Sequence, residues 1–98
     1  SGGSPNGDLM LCANSPNPFS RSTTFTYRTG SQTTVTLSIY DVLGREIRTL
    51  VQAPQLPGVH SAYWDRRDTE GHRIPAGVYL CRLTAGNLER TRALVAWP

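Results

Sequence analysis

Two histidines, two cysteines and one run of carboxylates are the side chains of this 98-residue chain best suited to chemistry. His60 alternates with Ala62 and Trp64 in strand fashion, which reads as a packing residue with a satisfied ring. His72 lies in a glycine-flanked polar loop and is expected to be solvated. No serine, Ser61 beside His60 included, stands in a G-x-S-x-G elbow or any comparable context that would make it a nucleophile. The loop WDRRDTEGHRIPAGVY holds Asp65, Asp68 and Glu70. Calcium takes six to eight oxygens from loops of this kind. The spacing departs from D-x-[DN]-x-[DN]-G, and Arg66 and Arg67 stand among the acids, so a network of Asx turns is the expectation. Cys12 and Cys81 lack a C-x-x-C spacing, which leaves two thiols or one disulfide. No catalytic centre, cofactor or metal set is expected.

Charge argues in the same direction. The net charge is +3, and every basic residue is an arginine. They run from Arg21 to Arg92 without gathering on one element between aromatics, so a solvated surface is expected and a nucleic-acid partner is not. The sequence carries no secretory leader pattern and no apolar run long enough to span a bilayer. Residues 1–8, SGGSPNGD, read as a linker or an expression remnant, and residues 9–98 as one domain.

Short alternating segments must position these side chains. Thr23, Phe25 and Tyr27 share one face of Ser22 to Arg28, and Val35, Leu37 and Ile39 point inward along Thr34 to Asp41. Gly44 supplies the positive φ of a tight hairpin, and Ile47 to Val51 returns. Pro54 and Pro57 predict a loop over residues 53–58. Strands are expected again at Val59 to Trp64, Val78 to Leu83 and Leu88 to Trp97, with a first edge strand at Leu9 to Ala13. The pattern predicts an all-β, immunoglobulin-like antiparallel β-sandwich of about seven strands, with a small closed barrel as the alternative. Tyr40, Tyr63, Trp64 and Trp97 raise an alternative function, a carbohydrate-binding accessory module using an aromatic platform, with Tyr40 and Tyr63 pointing outward.

Four segments in order, NSPNPFSRSTTFTY, VTLSIYDVLGREIRTLV, PGVHSAYWDRRDTEGHRIPAGVYLCRL and RTRALVAWP, carry a more specific signal. Their succession resembles the C-terminal sorting domain of cargo proteins of the type IX secretion system. It is also similar to the related immunoglobulin-like domain of the flagellar hook-capping protein. The resemblance covers about residues 9–97. It implies a non-catalytic module of a larger secreted protein, joined to upstream cargo domains, recognised by outer-membrane secretion and attachment machinery, and exported to the cell surface or beyond. Carried over by position, the structural motif comprises Pro16, Asn17, Pro18 and Phe19, then Asp41 and Gly44, then Trp64, Asp65 and Asp68, then Gly77 and Tyr79. Arg66 stands where the family has Gly, from which a turn without positive φ is expected there, and Ala93 replaces a common Lys before the last apolar run. The candidate partner surface is Leu43 with the last strand, through Arg90, Arg92, Leu94, Val95 and Trp97.

Overall fold

A computed structural model describes residues 9–12 and 14–97, so the readings of residues 1–8, of Ala13 at the end of the first edge strand and of Pro98 lie outside the described residues. Seven strands follow one another: β1 (Leu9–Leu11), β2 (Thr23–Thr29), β3 (Thr33–Asp41), β4 (Glu46–Gln55), β5 (Gly58–Trp64), β6 (Gly77–Ala85) and β7 (Leu88–Ala96). They form a three-stranded sheet, β1-β2-β5, facing a four-stranded sheet, β4-β3-β6-β7, with every strand pair antiparallel. This is the expected immunoglobulin-like sandwich.

Alternation builds the core. Phe25 and Tyr27 from β2, Val35, Leu37 and Ile39 from β3, and Cys81 and Leu83 from β6 are sealed between the sheets. Burying side chains of this size is worth roughly 1.5–3 kcal/mol each, and no helix among the described residues adds to it. Outward positions of β2 and β3 are mostly threonines, a β-branched residue suited to a pleated, half-solvated face.

The β3–β4 hairpin closes as its residues dictate. Gly44 takes φ 87°, a conformation that a side chain would oppose. Asp41 Oδ1 accepts from the Leu43 and Arg45 N–H groups, each at 2.9 Å. The loop predicted over residues 53–58 is a misreading, because β4 continues through Pro54, paired with Thr34, to Gln55. β4 is an edge strand, where a missing N–H interrupts no ladder.

The cysteines are both free thiols, so the possible Cys12–Cys81 bridge is not formed. Cys81 faces inward from β6, whereas Cys12 follows the inward-facing Leu11 and so takes outward parity. Burial pushes the Cys81 thiol up to about 12, which makes it unreactive.

Candidate functional site

The proline-rich corner after β1 is anchored from both directions. Ser15 and Thr24 exchange backbone hydrogen bonds, and Thr23 Oγ1 donates to the Pro16 carbonyl at 2.8 Å while accepting from Asn14 Nδ2 at 3.0 Å. From there the chain reaches across to the last strand. Asn17 Oδ1 accepts the Val95 N–H at 3.0 Å. The Phe19 N–H donates to the Val95 carbonyl at 3.1 Å, and the Trp97 N–H donates to the Phe19 carbonyl at 2.7 Å. Phe19 thereby forms a parallel bridge with Ala96. Its ring enters the core, 5.6 Å from Trp64, which in turn meets Tyr79 edge-on at 6.3 Å. The Tyr79 hydroxyl donates to the Pro75 carbonyl at 2.7 Å. Within the run Pro16, Asn17, Pro18 and Phe19, Asn17 and Phe19 are thus the clasp on the end of β7.

Arg66 overturns the expectation drawn from its replacement of Gly. It adopts φ 62°, the sole positive φ of a non-glycine among the described residues. Such a backbone costs of order 1–3 kcal/mol unless its surroundings impose it. Here the side chain does so. Buried to 3% exposure, it donates from Nε to the Ile74 carbonyl at 3.1 Å and from Nη1 to the Ser20 carbonyl at 2.7 Å. Nη1 also donates to the Trp97 carbonyl. Arg73 Nη2 shares the Ser20 carbonyl at 2.7 Å. Burial, and next the Arg73 charge, lower the Arg66 pKa from its ordinary value, with Tyr79 opposing. One arginine therefore ties the Trp64 turn to the clasp and to the end of the last strand. Sequence reasoning missed this because two of its acceptors lie 46 and 31 residues away.

The remaining turn residues have local work. Trp64 Nε1 donates to the Arg67 carbonyl at 2.9 Å, and Asp68 Oδ1 accepts the Glu70 and His72 N–H groups at 3.0 and 2.9 Å. Asp65 turns away to Arg48 Nη1 at 2.9 Å, so the three carboxylates do not converge. His72 Nδ1 instead lies 3.9 Å from Asp68 Oδ2 and 3.7 Å from Glu70 Oε1, on an exposed rim. His60 packs as expected, stacked on Tyr27 at 5.4 Å with Nε2 2.7 Å from the Leu56 carbonyl.

The candidate partner surface divides. Leu94 is a correction: at 1% exposure it faces the core, since its register position opposite the inward-facing Tyr79 fixes its parity. Val95 is half-buried, while Arg90 and Arg92 are exposed, Arg92 Nη1 reaching the Leu11 carbonyl at 3.3 Å. Leu43 is 77% exposed and Trp97 56%. Register sets Asp41 opposite Tyr79 and Gly77 opposite Ala96, so the hairpin, the start of β6 and the end of β7 share one end of the sheet. Val42, Leu43, Val78 and Trp97, all exposed, gather there. The aromatics make no row: Trp64 is buried, and Tyr40 and Tyr63 occupy outer faces of different sheets. Arg82 already covers the Tyr40 ring at 4.8 Å.

The FlgD Ig-like domain family model matches residues 15–89. The chain belongs to that family. This FlgD Ig-like domain is 42% identical over 53 residues to the basal-body rod modification protein FlgD of Salmonella typhimurium, spanning 54% of the chain but only 23% of that relative. Crystallised FlgD from Xanthomonas campestris, described as giving insights into the hook capping essential for flagellar assembly, superposes with TM-score 0.62 at 23% identity, over 93% of the chain and 68% of its own. Dimeric latent PorU from Porphyromonas gingivalis gives TM-score 0.67 at 21% identity, over 92% of the chain and 9% of its own. PorZ of the same organism, described as an essential bacterial surface component of the type IX secretion system, gives 0.56 at 20%, over 92% of the chain and 11% of its own. At these identities the solved structures show a shared sandwich fold. No helix among the described residues is long and apolar enough to cross a membrane.

Proposed function

We propose that this FlgD Ig-like domain is a non-catalytic module of a larger exported protein, serving as a sorting and surface-attachment element for outer-membrane machinery of the type IX kind. The observation that carries the reading is the apolar end of the four-stranded sheet, where Val42, Leu43, Val78 and Trp97 remain exposed beside the clasped last strand. Such clustering is costly in water and fits a partner surface. The fold likeness to PorU and PorZ supports it, and so does the order of the sequence motifs. The test fuses residues 9–98 to a passive reporter in a type IX-competent host. Export is expected, and Leu43→Ser with Val78→Ser should trap the reporter while leaving the melting transition in place. Undiminished export of that variant would remove the hairpin end from the reading, and retention of the unsubstituted fusion would remove the sorting role. Deleting residues 92–98 is a poorer test, because it takes away the core residues Leu94 and Ala96.

A second reading rests on the 42% identity to FlgD: a structural module in an appendage assembly. Failure of type IX export, together with incorporation of the domain when grafted into FlgD, favours it.

A further inference from the structure

The sandwich has four strand edges, and three are guarded. β1 covers only Leu9–Leu11 among the described residues. β4 carries Glu46, Arg48 and Pro54, has two register irregularities, and its Ile47 carbonyl accepts both the N–H and the hydroxyl of Thr69, at 3.1 and 3.2 Å. β7 carries Glu89, Arg90 and Arg92 and is clasped at its end by Asn17 and Phe19. Charges, proline, bulges and covering segments are how proteins keep an edge from pairing.

β5, GVHSAYW, has none of these. It pairs with β2 in unbroken register from Thr23↔Trp64 to Thr29↔Gly58. Thr24 and Thr26 turn their backbone groups to Ser15 and Cys12, on the far side. Antiparallel alternation therefore directs the N–H and C=O groups of Val59, Ser61 and Tyr63 away from β2, into solvent. Val59 and Tyr63 are 69% and 66% exposed on the same outer face.

We infer that β5 is a homotypic pairing edge whose occupant is β5 of a second copy of this chain, joining two three-stranded sheets into one of six strands about a dyad through Ser61. The sequence is self-complementary in that register. Ser61 meets the partner's Ser61, and each Val59 meets the partner's Tyr63, an aromatic against a β-branched side chain, a favourable cross-strand pair. All three positions exchange both backbone bonds, because all three point at the open edge. Charge agrees: the strand contains no Asp, Glu or Arg, so this basic chain places no like charges opposite one another at the join. The surface buried is small beside that of a stable dimer, so the association is weak and depends on concentration. It uses the outer face and edge of the three-stranded sheet, and stands independently of the apolar end assigned to export.

Sedimentation of the 98-residue chain across micromolar to millimolar concentration tests this. The weight-average mass is expected to climb from 10.8 kDa towards twice that, and Ser61→Lys, which sets two cations at the dyad, should hold the chain monomeric with an unchanged melting transition. In a Cys12→Ser background, Ser61→Cys should form a dimer by disulfide under mild oxidation, since hydrogen-bonded antiparallel partners sit about 5.5 Å apart at Cα. Thr69→Cys, on an exposed loop away from β5, serves as the control. A constant monomer mass, or crosslinking no faster at residue 61 than at 69, overturns the proposal. Association that survives Ser61→Lys assigns it to another surface and overturns it equally.

Discussion

The two long sides of the sandwich are finished by opposite means. On one side β1 lies over β7, and the seam is sewn by long-range contacts: Asn17 and Phe19 to Val95 and Trp97, Arg66 and Arg73 to Ser20, Arg92 to Leu11. On the other, β4 turns directly into β5, and the bonds gather on that connection, from β2 and from β5 itself. Tyr27 donates to Gln55 Oε1 at 2.6 Å, and the Leu56 carbonyl accepts from Thr29 Oγ1 at 3.2 Å and faces His60 Nε2 at 2.7 Å. The first arrangement consumes the backbone of the edge. The second fixes the sheets yet leaves the backbone of β5 unspent. Stability and availability for pairing are thus assigned to different sides of one small domain.

The comparison is broken most severely at Phe19. Phe19→Ala opens a cavity against Trp64 and is expected to cost about 3–5 kcal/mol, much of the stability of a domain this size. Chemical denaturation followed by tryptophan fluorescence reads it, and a loss below about 1 kcal/mol would mean that the clasp is ornamental.

Arg66 gives the next effect and the sharper one. Arg66→Ala abandons three carbonyls while retaining a side chain at positive φ, for an expected loss of roughly 2–4 kcal/mol. Arg66→Gly abandons the same bonds but relaxes the backbone, so it should be more stable than the alanine variant by about 1 kcal/mol. Equal stabilities would show that the φ of 62° carries no cost.

Asn17→Ala removes a single exposed bond and should cost about 0.5–1.5 kcal/mol. Its more telling readout is amide exchange, which should quicken at Val95 while Ser61 and Tyr63, already open, exchange fast in both proteins.

The smallest effect lies at the hairpin. The Arg45 N–H, opposed by burial and then aided by the Arg45 side chain and the Leu43 N–H, holds the Asp41 carboxyl below its ordinary 3.8. A lowered folded-state pKa gives stability that is present above the unfolded value and lost as pH falls through the folded one. Melting temperatures from pH 6 down to pH 2 should therefore fall more for the native chain than for Asp41→Asn, with the gap opening below about pH 4.

Much of this was legible in the sequence wherever one strand decides the matter by itself. Phe25, Leu37 and Ala62 have their facing written in their neighbours, and Gly44 announces its turn. The misses have a common cause in strand order. Pro54 reads as a loop until β4 is known to be an edge, and Leu94 reads as surface until its position opposite Tyr79 is known. Asp65, Asp68 and Glu70 read as a group until Arg48, on another strand, claims the first. Arg66 was misread from its replacement of Gly, because two of its three acceptors are carbonyls supplied by remote segments.

The bridge from Phe19 to Ala96 also sets an order in time. Residues near the start of the described chain wait for partners almost eighty positions later, and closing so long a loop comes late in folding. Until Val95 and Trp97 are made, Asn17 Oδ1 and the Phe19 backbone have no partners on the last strand, and Arg66 lacks one of its three acceptors. The clasp therefore closes only after the last strand of the domain itself has been made, which makes its seam the part of the fold whose formation depends most on sequence-distant residues.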